Sequence, residues 1–228
     1  YFLYLMSGGK MVEHMHRGAM APNVNNIQFE DTKVESIFPC KVWSAFPVGI
    51  DNDEIIDDCY AIRDDGILRG VQRSNVGGWQ SEVRNLQDIA FRHDARHIFD
   101  LGCRVVEFAN ECSRDMDSEA FYDLESAHLW VNINSSNDYN VLHSHPKTDI
   151  VAVYYPIHEE DMGDLCLVRH DASLFLDTFR GVMDATVHHV DLETGLLVAF
   201  PAHLLHYVMP NTTGRDRISI SFNLVCAD

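Results

Sequence analysis

From about Asp123 onward the chain is a succession of short β-branched or aromatic runs separated by turn residues. His128–Asn134, Ile150–Tyr155, Leu165–Val168, Thr186–Val190, Leu196–Phe200 and Arg217–Leu224 are such runs. Their length and spacing are those of strands in an antiparallel sandwich or barrel. The last run alternates polar and apolar residues, as a strand with one buried face does. Upstream the periodicity changes. Between Asp51 and about Arg63, residues Ile55, Ile56, Cys59, Tyr60 and Ile62 fall at near-helical spacing behind acidic residues that suit a helix N-terminus. From Leu86 to Cys112 the apolar positions Leu86, Ile89, Ala90, Ala95, Ile98, Phe99, Cys103, Val106 and Phe108 predict one long helix or two short ones. Ile37–Val48 reads as a strand flanked by Pro39 and Pro47, and Asn75–Gly78 as a turn. Helices first and strands later give an α+β chain, mainly β, with a jelly-roll core.

Two hundred and twenty-eight residues suit one large domain. Residues 1–25 are expected to be a tail outside the fold, and 26–228 a single domain with helical support at about 51–113 and the jelly-roll core at about 124–226. The apolar opening Tyr1–Met6 is too short to span a bilayer and lacks the basic region of a secretory signal, and Met6, Met11 or Met20 could each be a start. A formal charge of −18 argues against binding to nucleic acid or an anionic membrane. It suits a small molecule, a basic peptide or a protein side chain better. Cys40, Cys59, Cys103, Cys112, Cys166 and Cys226 are scattered without a CxxC pair, as expected of reduced thiols in a cytoplasmic protein. The oligomeric state stays open, a homo-oligomer included.

The chemistry concentrates in histidines. His143 and His145, at i and i+2, share one face of an extended strand, and Pro146 ends regular pairing behind them. Taken alone, such a pair is as readily a solvated surface feature. His206 follows the apolar run ending at Phe200–Pro201 and could complete a facial set with open positions, as an iron centre that takes both a cosubstrate and O₂ requires. His203 competes with it as a donor. His188 and His189 point to opposite faces of a strand, so one at most could face a given site. Arg217 and Ser219 share a face of the last strand, where a guanidinium could grip a carboxylate and the hydroxyl add a donor. Trp79 and Gln80 could line the mouth of the site. A cupin-like metal-binding jelly roll, or a dioxygenase that uses no cosubstrate, fits the same histidines, as does a catalytically silent relative.

Trp130–Asn134, Tyr139–Pro146, Val153–Tyr155, Gly163–Leu165, Gly195–Pro201, His206–Val208, Arg217–Asn223 and, upstream, Ser74–Ser81 resemble a family of 2-oxoglutarate- and Fe(II)-dependent oxygenases, a bacterial and phage-associated branch related to the prolyl hydroxylases. The resemblance covers roughly residues 37–226. It implies a double-stranded β-helix with iron in its mouth. His143 and His206 match two histidine ligands, and Arg217, assisted by Ser219, matches the residue that binds the far carboxylate of 2-oxoglutarate. Asn132 and Tyr139 fall where relatives place polar cosubstrate contacts. His145 stands where the wider superfamily has Asp or Glu, leaving open a three-histidine set or the recruitment of a carboxylate such as Asp149. The implied activity is dioxygenation, with hydroxylation the expected outcome, of an unidentified substrate with Fe(II), 2-oxoglutarate and O₂.

Overall fold

Alternation along the strands decides which way the barrel turns, because the strands of the larger sheet carry apolar residues on one face and a mixed, largely polar set on the other. The computed structural model describes residues 40–64, 66–89, 95–169 and 186–226. Its elements run β1 (Trp43–Ala45), α1 (Asn52–Asp64), β2 (Gly70–Val71), β3 (Asn75–Val76), β4 (Trp79–Ser81), β5 (Arg84–Asn85), α2 (Leu86–Ile89) and α3 (Arg96–Asp115), then β6 (Ala127–Asn134), β7 (Tyr139–His143), β8 (Ile150–Ile157), β9 (Leu165–Val168), β10 (Val187–His189), β11 (Leu196–Pro201), β12 (Leu205–Val208) and β13 (Arg217–Leu224). The expected tail, residues 1–25, lies outside the described residues, as do residues 26–39 and the start of the strand expected at Ile37.

The larger sheet has the order β1-β11-β8-β13-β6-β4-β2, with β5 also pairing β6, and the smaller is β10-β9-β12-β7-β3. All of these pairings are antiparallel. From β6 to β13 the chain passes back and forth between the sheets, which is the double-stranded β-helix expected.

Ile218, Ile220, Phe222 and Leu224 of β13 join Leu129, Val131 and Ile133 of β6 and Ala152 and Tyr154 of β8 in one buried cluster with Ile55 and Ile62 of α1 and Ile98, Leu101 and Val105 of α3. The helices therefore cover the outside of the larger sheet. A second, smaller cluster, including Val151, Val153, Tyr155, Leu165, Leu167, Val198 and Phe200, fills the space between the sheets. Between these apolar residues the inner faces carry polar ones, Arg217, Ser219, Ser221 and Asn223 on β13 and Asn132 on β6, with Trp130 of β6 beside them.

α1 and α3 are held at their N-termini by carboxylates. Asp51 accepts hydrogen bonds from the backbone N–H groups of Asp53 (3.0 Å) and Glu54 (3.4 Å), as an N-cap should. Asp58, buried on α1, accepts the N–H groups of His97 (2.8 Å) and Ile98 (3.1 Å) at the start of α3, which has no cap of its own. The expected long helical region is thus split into α2 and α3. No described helix is long and apolar enough to cross a membrane.

Candidate metal centre

His143 ends β7, and His206 on β12 is its direct cross-strand partner. Opposed residues on neighbouring strands bring their side chains together, and the two rings lie 4.2 Å apart between centroids. His145 has left β7, and its backbone N–H is bonded to the Ala202 carbonyl (3.0 Å). Its ring comes within 5.2 Å of His143 and 5.0 Å of His206. One nitrogen from each ring lies within 4.8 Å of the others, making the only such group of potential metal ligands among the described residues.

The ring nitrogens are sorted by their partners. Nδ1 of His143 faces the Val141 carbonyl (2.7 Å), Nδ1 of His206 the Leu204 carbonyl (3.0 Å), and Nδ1 of His145 the Asn223 side-chain oxygen (2.7 Å). A carbonyl can only accept, so each Nδ1 carries the proton and each Nε2 presents a lone pair. Nε2 of His145 and Nε2 of His206 are 3.2 Å apart, two lone pairs with no proton between them. Such a cluster has the donors to hold a cation. Burial pushes His145 down to about 4 and His206 to about 3, and it lowers His143 as well, so all three rings are neutral at neutral pH. No carboxylate belongs to the cluster among the described residues. Asp149 accepts the Cys226 backbone N–H (2.7 Å) instead.

The same cavity, about 750 Å³, reaches Arg217. This side chain is 2% exposed, and its Nη1 donates to the carbonyls of Met162 (2.7 Å), Met209 (3.0 Å) and Gly163 (3.3 Å). No carboxylate among the described residues pairs with it. Burial lowers its pKa, while Tyr155 and Asp138 act in the opposite sense. Gly163 is required beside it: φ is +90°, and a Cβ there would meet the Met209 carbonyl at 2.3 Å and Arg217 Nη1 at 2.7 Å. A buried guanidinium held by neutral carbonyls has the charge and geometry that suit an anion.

Ser219 and Asn132 line the cavity. Asn132 donates to Ser221 Oγ (3.2 Å) and Ser219 Oγ (3.4 Å), while its Oδ1 has no partner. Gln80, opposite Asn132 in the sheet, also lines the cavity with an unpartnered Oε1. The other member of the expected pair does not: Trp79 packs against the helix-side cluster, because adjacent strand residues face opposite ways. Tyr139 is also absent from the wall, and Asn140 stands there instead. The pairing of β7 with β12 slips between His206↔His143 and Val208↔Asn140. Such a bulge reverses which residues face inward. His189 pairs with Asp164 (3.0 Å) away from the cavity wall, and His188 does not line it either. Asn140, Trp130, Tyr155, Ser221 and Asn223 are wall residues that the motif reading missed. Ser221 and Asn223 were accessible to it, since they continue the i, i+2 series that begins at Arg217 and Ser219.

Residues 128–223, β6 through most of β13, match a family model described as "Putative 2OG-Fe(II) oxygenase". This segment is similar to the 2OG-Fe(II) oxygenases. These are enzymes whose cofactors are Fe(II) and 2-oxoglutarate, and the three inward Nε2 atoms and the unpaired Arg217 fit both. Among solved structures, a prolyl-4-hydroxylase of Pseudomonas putida is 15% identical with a TM-score of 0.59, over 83% of this chain and 94% of that one. A prolyl hydroxylase of Trichoplax adhaerens, in complex with a hypoxia-inducible factor peptide fragment, is 13% identical with a TM-score of 0.61, over 81% and 83%. HygX of Streptomyces hygroscopicus, with nickel and 2-oxoglutarate bound, is 12% identical with a TM-score of 0.51, over 82% and 84%. At these identities the likeness is one of fold. A search of the curated proteins finds no match.

Proposed function

We propose that the chain is a 2-oxoglutarate-dependent dioxygenase in which His143, His145 and His206 hold Fe(II) and Arg217 holds the far carboxylate of the cosubstrate. When bound, Fe(II) and 2-oxoglutarate supply the oxidising chemistry: O₂ is consumed, the cosubstrate is decarboxylated to succinate and CO₂, and one oxygen atom goes to the substrate. The observation that carries this reading is one cavity containing both a neutral three-histidine cluster with its lone pairs inward and a buried guanidinium without a carboxylate. A cupin-like metal site accounts for the histidines and gives Arg217 nothing to do.

The protein's own residues then divide the work. The histidines fix the metal on three neighbouring positions, leaving the rest open. Arg217, with Ser219 on the same face, orients the cosubstrate, and Asn132 supplies an amide to it. Val151, Val153 and Leu165 make the floor apolar and keep bulk water from the reacting centre. Gln80 lies on the part of the wall left for the substrate, a small molecule or a protein side chain whose hydroxylation is the expected outcome. The peptide bound by the Trichoplax enzyme makes a protein side chain the worthwhile first class to screen. Free thiols at Cys40, Cys59, Cys103, Cys112 and Cys166 support a reducing, cytoplasmic setting.

Anaerobic titration of the Fe(II)-loaded protein with 2-oxoglutarate tests the reading. A weak visible charge-transfer band is expected, and its loss in Arg217→Ala with metal binding intact. Iron binding without any such band would return the site to the cupin-like alternative.

A further inference from the structure

Two of the three histidines are oriented by their own backbone. The carbonyls that hold Nδ1 of His143 and of His206 belong to Val141 and Leu204, each two residues upstream. Both rings sit on the smaller sheet, opposite one another in register. No side-chain substitution elsewhere can remove those bonds.

His145 is held differently. It lies beyond the end of β7, and its ring is oriented from the opposite sheet. Trp130 of β6 stacks on it at 5.6 Å with an interplanar angle of 22°, and Asn223 of β13 accepts from its Nδ1 at 2.7 Å. Stacking fixes the plane of the ring and leaves the proton free to sit on either nitrogen. The amide oxygen, 2.7 Å from Nδ1, draws the proton to that nitrogen.

The choice matters because of His206. Its Nε2 is 3.2 Å from Nε2 of His145, and the Leu204 carbonyl fixes the His206 Nε2 as an acceptor. If His145 carried its proton on Nε2 instead, that N–H would donate directly to His206. The two rings would then satisfy each other, and two of the three metal-facing lone pairs would be consumed in a hydrogen bond. The metal-free cluster therefore has a competing closed arrangement within reach, one proton shift away.

We propose that Asn223 is a positioning residue that selects the Nδ1–H tautomer of His145 and so keeps the cluster open to metal. This rests on the reading of the three histidines as the iron ligands. Asn223 acts through His145 and need not touch cosubstrate or substrate.

The tautomer can be read without metal or turnover, from the imidazole ¹⁵N shifts of the metal-free protein by NMR. Wild type is expected to show His145 protonated at Nδ1. In Asn223→Leu, which has similar bulk and no acceptor, the proton is expected on Nε2, with Co(II) affinity weakened about 10- to 100-fold, the usual effect of losing such a partner. Asn223→Asp restores an acceptor and is expected to recover both the tautomer and the affinity. An Nε2–H tautomer in wild type, or an Nδ1–H tautomer with undiminished Co(II) affinity in Asn223→Leu, overturns the proposal. Should wild type carry the Nδ1–H tautomer, lose it in Asn223→Leu and bind no Co(II), the tautomer selection stands and the metal assignment fails. The wild-type measurement needs no variant, so a misfolded Asn223→Leu does not leave the question open.

Discussion

A buried imidazole with no acid beside it is easily kept neutral and hard to charge. Folding holds His145 near 4 and His206 near 3, against about 6.5 in an unfolded chain. Between these values the unfolded state takes up protons that the native state refuses. The associated stability is fully present above about pH 6.5 and is lost as pH falls toward 4 and then 3. The urea midpoint of the metal-free protein should therefore decline over that window, and less steeply in His206→Gln. Parallel declines in the two proteins would mean that the fall comes from other groups. The same residues show what a sequence can reveal at this scale. Spacing drew attention to His143 with His145 and to Arg217 with Ser219, but His145 lies beyond the end of β7 and reaches the cluster from a loop, not from a shared strand face. Tyr139 was misplaced because a bulge is a property of two strands in register, and a single strand read alone does not carry it. Trp79 and Gln80 could not be separated because β4 is only three residues long, too short to show its alternation.

Among the elements, α3 carries a glycine where propensity argues against one. Gly102 is on the buried side of the helix, and a Cβ added there would lie 2.4 Å from Leu86 Cδ1 and 2.8 Å from Cδ2. Leu86 is itself fully buried at the start of α2. Helix propensity alone favours alanine by about 1 kcal/mol, but overpacking a filled core costs about 1–3 kcal/mol. Gly102→Ala should accordingly destabilise the protein, read as a lower urea midpoint; a higher midpoint would show that Leu86 moves aside freely. The helices themselves were visible from their periodicity. Periodicity left one long helix or two short ones open between Leu86 and Cys112, since Asp58, the carboxylate that serves the start of α3, comes from α1. The short strands β2 to β5 were missed or read as turns, because two or three residues carry no period. β13 was read correctly as alternating, but alternation alone does not say which face looks inward. Here the apolar face looks out, toward α1 and α3, and the polar face lines the site.

For the whole molecule, that inversion makes the oxygenase segment dependent on what precedes it. Residues 124–226 expressed alone would expose the outer face of the larger sheet, including Ile133, Ile218, Ile220 and Phe222, a contiguous apolar surface of the kind that drives association. Such a fragment should aggregate or bind a hydrophobic dye strongly, and a monomeric, dye-silent fragment would show that the helices are dispensable. The distribution of charge has a kinetic counterpart. The chain carries −18, yet the described cavity wall contains no Asp or Glu and two arginines, Arg73 and Arg217. A dianion such as 2-oxoglutarate is thus repelled from afar and attracted only at close quarters. Salt shortens the reach of the first field, from about 30 Å at 0.01 M to about 8 Å at 0.15 M, before it weakens the buried contact. Stopped-flow association of 2-oxoglutarate should quicken as salt is raised over that range, the reverse of ordinary electrostatic steering. A rate that falls instead would mean that the arginines govern the approach as well as the grip. Saline surroundings would then set how quickly the centre fills, while the arrangement of side chains inside decides how firmly it holds.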